Sequence, residues 1–223
     1  MIDTSKFVFL DIETTGLNFN EHQILELSYA VGDGEITTLY VTDMDFEKAE
    51  PKALEVNKYF ERFAGEGYGQ WYPVNELCKD LPGVRYNGFF GTYEVYLALP
   101  VTEDEEWDKF FDEVLPGKTI VGANPGFDRA FLEAFISSPL KANHRLFDIE
   151  AFYTGRMFNQ VLYKTGLLRW EIDEEGQEMF DAWTKIAGFK DICIDFNVDP
   201  GDHTSAGDVR ATREVWKKLV GLE

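Results

Sequence analysis

The sequence predicts an α/β protein built on one mixed sheet, with an antiparallel hairpin first, parallel strands after it and helices on both flanks. An apolar run that ends in acids, KFVFLDI at 6–12, is typical of a buried strand that emerges at a polar edge. Two further strand-like stretches surround the turn Gly32-Asp33-Gly34. Helical and strand periods then alternate along the chain, and this order of elements favours a sheet covered by helices.

The individual elements follow from local apolar periodicity and from turn and capping residues. Strands are predicted at 6–12, 23–31, 35–42, 118–123 and 145–149. Helices are predicted at 53–63, from Thr102 to Leu115 behind a capping box with Glu105, at 130–136, from about Glu150, at 178–187 and from Thr204 or Ser205 onward. The acidic stretch 171–178 is predicted to be exposed.

Residues 65–100 interrupt this order, because they are rich in glycine and aromatic residues. We interpret them as an inserted loop-and-hairpin element whose most strand-like piece is YEVYLAL at 93–99. A length of 223 residues suits one domain. Residues 1–223 are therefore expected to form a single domain that carries an insertion at about 65–100.

Composition narrows the class of protein. Hydrophobic residues make up 44% and aromatic residues 15%, which is enough for a buried core. No apolar run reaches the length of a membrane span, and the N-terminus lacks the pattern of a signal peptide. The two cysteines, Cys78 and Cys193, are far apart and are expected to be reduced core thiols. We therefore expect a cytoplasmic protein without a membrane partner.

The formal net charge of −20 constrains how this chain could bind nucleic acid. Proteins that hold nucleic acid through its phosphates alone are usually basic. An acidic chain can still act on nucleic acid when divalent metals supply the positive charge at the scissile phosphate. The alternative is a protein that imitates the charge of DNA, and this alternative remains open.

Asp11 and Glu13 are two positions apart on the first predicted strand, so their side chains project to the same face. Burying two carboxylates together is costly unless a cation neutralises them. Carboxylate oxygens suit Mg²⁺ or Mn²⁺. The competing interpretation is a pair of turn or cap carboxylates at a strand end, and the pair alone does not decide between the two.

Three further residues complete a possible metal site. Asp128 follows a predicted sharp bend, although an acid there is often only a helix cap. His203 is placed in a loop and Asp208 in the first turns of the last helix. Four carboxylates and one imidazole match phosphodiester hydrolysis by two metals, with histidine taking the proton of the attacking water. The other histidines, His22 and His144, are interpreted as ordinary surface or core residues.

Three segments resemble, in order, the exonuclease motifs of the DnaQ-like proofreading exonucleases, and more narrowly those of the DEDDh branch. They are FLDIETTGL at 9–17, VGANPGFDRAFL at 121–132 and HTSAGDVRAT at 203–212. The resemblance implies a ribonuclease-H-like fold, two Mg²⁺ or Mn²⁺ ions and 3′→5′ hydrolysis of single-stranded ends to nucleoside 5′-monophosphates. It implies metal ligation by Asp11, Glu13, Asp128 and Asp208, with His203 as the general base.

The resemblance also implies residues that contact the substrate. Those lining the pocket of the terminal nucleotide would be Thr14, Thr15, Gly16 and Leu17. Asn57 and Phe60 would touch the strand as well, with core packing an equal alternative for Phe60. Asp148 would support the site without being a metal ligand. The resemblance spans 6–220 outside the insertion, and it departs from many relatives at Ala123, where they carry histidine before the asparagine of the second motif.

The leading hypothesis is therefore a 3′→5′ exonuclease whose partner is a single-stranded nucleic-acid 3′ end, with DNA favoured, in a possible replication or repair complex. An exoribonuclease or oligoribonuclease of the same family is the first alternative. A catalytically silent acidic mimic or scaffold is the second, and the presence of all five catalytic residue types disfavours it. Four arginines near the motifs are candidate phosphate contacts, with a solvated or salt-bridged role as the favoured alternative for each: Arg129, Arg156, Arg210 and Arg213.

Overall fold

A computed structural model describes residues 2–65, 68–165 and 188–222 of the chain. The strands in the described residues are β1 Phe7–Thr14, β2 Ile24–Val31, β3 Thr37–Tyr40, β4 Gln70–Val74, β5 Val84–Asn87, β6 Thr92–Leu97, β7 Thr119–Gly122 and β8 Leu146–Asp148. The helices there are α1 Pro51–Val56, α2 Tyr59–Phe63, α3 Asp104–Lys109, α4 Pro125–Phe135, α5 Ile149–Thr165, α6 Phe189–Asp195 and α7 Ser205–Val220.

The main sheet has five strands in the order β3-β2-β1-β7-β8. β1 is antiparallel to β2 and parallel to β7, and β7 is parallel to β8. The predicted mixed sheet with an antiparallel first hairpin is thus confirmed. β7 pairs with β1 only from Phe7 to Phe9, so the second half of β1 extends beyond that neighbour. This overhang leaves room at one edge of the sheet for side chains from other elements.

Each face of the sheet is covered by a different set of helices. On one face, Leu10 and Ile12 pack with Phe110 and Leu132, which lie on the α3 and α4 side. On the other face, Phe9 packs against Trp216 of α7, with ring centroids 5.2 Å apart. Alternate residues of a strand point to opposite faces. Asp11 and Glu13 therefore lie on the Phe9 face, towards α7.

The predicted insertion at 65–100 contains a second sheet, with three antiparallel strands in the order β4-β6-β5. Its inner face carries buried residues such as Tyr72, Val95 and Leu97, which join a core cluster with Phe46. The element is more regular than the predicted loop and hairpin. The sequence pattern did not predict β4, because glycine residues interrupt it. The pairing partner of β4, strand β6, also lies about twenty residues away in sequence. That the whole chain is one domain stays a prediction.

Several predicted boundaries need correction. The helix predicted at 53–63 is two helices, separated at Asn57 and at Lys58, which has a φ of 51°. Thr102 does not cap α3, because its hydroxyl accepts a hydrogen bond from the Tyr40 amide, and Glu103 is the N-cap instead. α3 continues into a π-helical turn at Phe110–Val114.

Other differences concern the second half of the chain. α4 begins at Pro125 rather than at residue 130, and Asp128 lies in its first turn, as the bend predicted at 124–126 allows. The short helix α6 was not predicted. Helix α7 begins at Ser205 behind the Thr204 cap, as predicted. The acidic stretch 171–178 and the helix predicted at 178–187 lie outside the described residues.

Two composition-based expectations can be compared with the structure. Cys78 and Cys193 are both buried free thiols, as expected. Within the described ranges, no helix combines the length and apolarity that crossing a membrane requires.

Candidate active site

The centre of the site is a group of three carboxylates on β1 and α7. Asp11, Glu13 and Asp208 each offer a carboxylate oxygen, and these oxygens lie within 4.8 Å of one another. Asp208 reaches this position because α7 starts only three residues earlier, where the Thr204 hydroxyl accepts a hydrogen bond from the Gly207 amide. The cap therefore places the first turn of α7, and Asp208 with it, beside the end of β1.

Asp128 approaches β1 from the other side. It lies in the first turn of α4, is 5% exposed, and accepts a hydrogen bond from the amide of Ile12 at 3.1 Å. Ile12 stands between Asp11 and Glu13, so this bond fixes the Asp128 carboxylate next to the pair. Asp128 is not within the 4.8 Å group, but its charge is the largest electrostatic contribution that raises the pKa of Asp11. All four predicted metal ligands thus converge on one region.

The pKa values of the four acids are all raised, with burial as the largest cause. Burial raises the pKa of Glu13 to about 8, aided by Asp208 and Glu26. Burial likewise raises the pKa values of Asp128 and Asp208 to about 7. The pKa of Asp11 is well above its ordinary value, through burial first and then through Asp128 and Glu13. Without a cation, these carboxyls are costly to ionise together.

The residues present fit a divalent metal. In the part of the chain that the structure describes, Asp11, Glu13 and Asp208 are the group of acids, cysteines or histidines close enough to share an ion. Their donors are all oxygens, which hard cations such as Mg²⁺ and Mn²⁺ prefer. A bound cation would also compensate the charges that raise these pKa values. If these acids were only turn or helix caps, placing them together would be energetically costly. Asp11 and Asp208 accept no hydrogen bond from any residue within the described ranges.

His203 lies directly before the Thr204 cap and has a φ of 60°. Its side chain is exposed and makes no hydrogen bond or ion pair with any described residue. It therefore stands in the loop that leads to Asp208, as the sequence predicts. Its role as a general base stays a prediction.

Two neighbours of His203 were not predicted as site residues. Gly201 has a φ of 90°, and a Cβ built there would lie 2.2 Å from Asp208 Oδ1, so only glycine lets the backbone approach this carboxylate. Asp202 accepts a hydrogen bond from the Thr204 hydroxyl at 2.7 Å and contributes to raising the pKa of Asp208. The sequence signal was a Pro200-Gly201 pair before a helix cap, which by itself indicates only a turn.

The residues predicted to line a terminal-nucleotide pocket lie at the end of β1 and in the loop after it. Thr14 and Thr15 are buried, and their hydroxyls bond the Gly16 carbonyl and the Gln23 amide respectively. Gly16 packs against the ring of His22, which a Cβ would meet at 2.5 Å. Leu17 is 73% exposed. The first three therefore shape the loop, and Leu17 is the member that offers apolar surface to a ligand.

Asn57 and Phe60, the other predicted substrate contacts, are both buried to 2% exposure. The Asn57 side chain hydrogen-bonds Glu13 and accepts from the Tyr59 amide at 3.0 Å. The Phe60 ring packs edge-on against Phe46 at 5.2 Å. Asn57 is thus linked to a metal-ligand candidate and Phe60 to the core. Their contacts with a substrate stay predictions.

Glu26 on β2 is a buried acid that the sequence analysis missed. It lies opposite Glu13 in register and is 1% exposed. One of its oxygens accepts from the amide and hydroxyl of Ser205, both at 3.0 Å, and the other accepts from Arg62 at 2.5 Å. The Ser205 hydroxyl also contacts Ser28 at 2.7 Å. Glu26 therefore ties β2 and α2 to the start of α7.

The four candidate arginines differ in their partners. Arg129 pairs with Glu133, while Arg156 and Arg213 donate to the carbonyls of Leu219 and Gly34. Arg210 is exposed, forms no hydrogen bond or ion pair inside the described ranges, and its charge acts to lower the pKa of Asp208. It is the arginine best placed to meet a phosphate.

Asp148, predicted to support the site, ends β8 and accepts a hydrogen bond from the Ala151 amide at 3.0 Å. It therefore caps the start of α5. No bond joins it to the four acids in the described part of the chain.

Solved structures with a similar fold include those of exonuclease I. The chain is similar to exonuclease I from Methylocaldum szegediense, with a TM-score of 0.51 at 14% identity, covering 95% of this chain and 40% of that one. It is also similar to E. coli exonuclease I in complex with a 5cy-dT13 oligonucleotide, with a TM-score of 0.50 at 16% identity, covering 97% and 40%. A complex of the E. coli enzyme with a 5cy-dA13 oligonucleotide gives 0.50 at 14% identity, covering 95% and 40%.

The chain thus spans about 40% of the length of the exonuclease I chains that it matches. No protein-family model and no curated protein matches the sequence. At these identities the likeness establishes the fold. It is the mixed sheet flanked by helices that the sequence predicts, and membership of the DnaQ-like exonucleases stays a prediction.

Proposed function

We propose that this chain is a metal-dependent 3′→5′ exonuclease that hydrolyses single-stranded DNA ends. The observation that carries the proposal is the convergence of Asp11, Glu13 and Asp208 within 4.8 Å, with Asp128 bonded to the backbone between the first two. Exonuclease I structures with the same fold contain single-stranded oligodeoxynucleotides. The fold and the acid cluster together support a nuclease more specifically than either does alone.

In the proposed mechanism Asp11, Glu13, Asp128 and Asp208 would hold two divalent ions, Mg²⁺ or Mn²⁺. When bound, such ions would supply activation of water and stabilisation of the attacking and leaving oxygens. His203 accepts the proton of the attacking water, for which its exposed position beside the Asp208 loop leaves access. Leu17 packs against the terminal base, and Thr14, Thr15 and Gly16 hold the backbone of that loop in place. The product is a nucleoside 5′-monophosphate.

Two alternatives are kept within the same test. An exoribonuclease would use the same acids. DNA is favoured over RNA only because the similar exonuclease I structures are complexes with dT13 and dA13 oligonucleotides. A catalytically silent acidic mimic would not require four acids with raised pKa values to lie in one region of the protein. A replication or repair complex and a cytoplasmic location complete the proposal.

The test is digestion of matched DNA and RNA single strands labelled at the 5′ end, with Mn²⁺ or Mg²⁺ and with excess chelator. We expect a ladder that shortens from the 3′ end, only with metal, and faster on DNA. Strands labelled at the 3′ end should release labelled mononucleotide first. An Asp11→Asn preparation, purified in parallel, controls for contaminating nucleases.

The outcomes separate the candidates. Faster digestion of RNA supports the exoribonuclease. Laddering from the 5′ end, or full activity in chelator, contradicts the proposal. Equal activity of the wild-type and Asp11→Asn preparations assigns the digestion to a contaminant, and absence of digestion on all strands supports the acidic mimic.

A further inference from the structure

The outer face of the second sheet carries an aromatic and cationic ladder away from the acid cluster. Trp71 on β4 and Tyr96 on β6 are cross-strand neighbours with ring centroids 5.1 Å apart. The guanidinium of Arg85, on β5, lies 3.5 Å from the centre of the Trp71 ring. Since β6 separates β4 from β5, the Arg85 side chain crosses the central strand to reach Trp71.

The positive charge of Arg85 has no carboxylate partner among the described residues. Glu94 lies directly opposite Arg85 in register, yet no ion pair joins them. The Glu94 carboxylate instead accepts hydrogen bonds from Asn87 at 2.9 Å and Thr92 at 3.3 Å. Arg85 is exposed, so its guanidinium presents both a planar surface and an uncompensated charge to a ligand.

The hairpin between β5 and β6 adds two exposed aromatic rings. Phe89 and Phe90 are 89% and 69% exposed. The Asn87 side chain accepts hydrogen bonds from both of their amides, at 3.0 and 3.4 Å, and Gly91 has a φ of 71° that closes the turn. The turn is thus held in one conformation, so presenting these rings costs little ordering entropy on binding.

The sheet that carries this surface is attached firmly to the rest of the protein. Its inner face contributes Tyr72 and Val95 to the core cluster that contains Phe46 and Phe60. The Ala98 amide also donates to the Phe63 carbonyl of α2 at 3.0 Å. A ligand on the outer face is therefore held at a constant position relative to the helices beside Glu13.

We propose that Arg85, Trp71, Phe89 and Phe90 form a second binding surface for single-stranded nucleic acid, on which bases stack and to which phosphates bind through Arg85. Bases stack on aromatic rings and on guanidinium planes regardless of sequence. A protein partner fits less well, because a covering protein surface would bury the Arg85 charge unless it brought its own acid. Nucleic acid supplies an anion at every nucleotide. The inference deepens the proposed function by giving an acidic chain a way to hold its strand.

The test measures binding of a fluorescent oligothymidylate by anisotropy, in excess chelator, so that neither cleavage nor metal-bridged binding contributes. The variants are Arg85→Ala, Arg85→Lys and the double change Phe89→Ser with Phe90→Ser. Leu77→Ser, at a 77% exposed residue outside the surface, and Arg145→Ala, at another exposed arginine, are matched controls. Circular dichroism confirms that each variant is folded.

We expect Arg85→Ala and the double phenylalanine variant each to weaken binding of the long strand about tenfold, the loss typical of a stacked base. Arg85→Ala should also lower the slope of log affinity against log salt by about 0.7, the value for one phosphate contact on a single strand. Arg85→Lys should keep that slope but lose affinity. Binding of a trinucleotide should weaken less than binding of the long strand.

Unchanged affinity in both the Arg85→Ala and the double phenylalanine variants would overturn the proposal and would leave the surface to a protein partner. Equal losses in the Leu77→Ser and Arg145→Ala controls would overturn it as well. Because the measurement needs no hydrolysis, its result is independent of the digestion test. Binding without cleavage would defeat the proposed function alone, and cleavage without an effect of these variants would defeat this inference alone.

Discussion

Glu13 and Glu26 face each other across β1 and β2; Glu13 is partly buried and Glu26 is buried, and the partners of their carboxylates differ. Glu26 accepts hydrogen bonds from Ser205 and Arg62. Glu13 has a hydrogen bond from Asn57, but burial first and then the charges of Asp208 and Glu26 raise its pKa to about 8. Glu26 thus has a cation, Arg62, and two hydrogen-bond donors from Ser205 beside it, whereas Glu13 has further anions beside it.

This difference predicts different roles for the two acids. A buried carboxylate with its own donors stabilises the contact between elements, and losing it leaves those donors unpaired. A buried carboxylate surrounded by acids destabilises the fold until a cation arrives. Substituting Glu26 should therefore lower stability, whereas substituting a member of the acid cluster should abolish activity and raise stability in the absence of metal.

The largest expected effect is on catalysis by the Asp11→Asn variant. Turnover on single-stranded DNA should fall about a thousandfold, because the several kcal/mol of charge stabilisation that metal ions provide would be lost. In chelator, the melting temperature should rise, because one uncompensated buried charge is removed. Asp148→Asn is the control, since asparagine also caps a helix and Asp148 is not part of the cluster. Near-normal turnover of Asp11→Asn would place the chemistry elsewhere.

The next largest effect is expected from Glu26→Ala, on stability. The free energy of unfolding should fall by about 3 kcal/mol, because Arg62 and the Ser205 amide lose their buried partner. Denaturant titration measures this change. Glu26→Gln should cost less, since it keeps an acceptor. Glu133→Ala, which removes a more exposed ion pair with Arg129, is the matched control. A loss from Glu26→Ala no larger than that control would contradict the structural role.

A smaller effect is expected from His203→Ala. Its rate of cleavage should fall about a hundredfold, the contribution typical of a general base, while Mn²⁺ should still raise its melting temperature. His144→Ala serves as a control, because His144 is also exposed and lies outside the motif loop. Wild-type turnover of the His203 variant would remove this residue from the mechanism.

The smallest effect is the pH dependence of stability. The pKa of Glu13 is about 8 in the fold against an ordinary value of 4.5, and those of Asp128 and Asp208 are about 7 against 3.8. Protonation of these groups stabilises the fold fully below their ordinary values, and this stabilisation is lost as the pH rises through the folded values. In chelator, the melting temperature should therefore fall between about pH 5 and pH 8.

Saturating Mn²⁺ should reverse that fall at pH 8, because a ligand bound only by the folded state stabilises it. The Asp11→Asn variant should show a shallower pH dependence in chelator. Melting curves that do not change with either pH or Mn²⁺ would contradict the acid cluster as a cation site.

Much of the fold could be predicted from local patterns. β1, β2 and the beginning of α7 follow from an apolar run, a glycine turn and a threonine cap, all of which are short-range signals. The break between α1 and α2 could not be predicted, because Lys58 adopts a left-handed conformation that only the surrounding packing enforces. β4 depends on pairing with the distant β6, and local propensity does not reveal such pairing.

The candidate site divides in the same way. The spacing of Asp11 and Glu13 on a strand requires that they share a face, and the cap at Thr204 predicts where Asp208 stands. The role of Glu26 could not be predicted, since ILELS at 24–28 has the pattern of an ordinary strand with two polar residues. The structural role of Glu26 depends on its hydrogen bonds with Ser205 and Arg62, which are 179 and 36 residues away in sequence.

The sequence by itself determined the class of the fold, the residue types of the acid cluster and the one imidazole near Asp208, because strand alternation and helix capping act over a few residues. Only the tertiary structure decided which acids have compensating partners and which are surrounded by further acids. It also decided that the insertion is a sheet with an exposed ladder of aromatic rings. The physical reason is that burial and hydrogen-bond partners come from residues distant in the chain, so the cost of each charge depends on the folded surroundings.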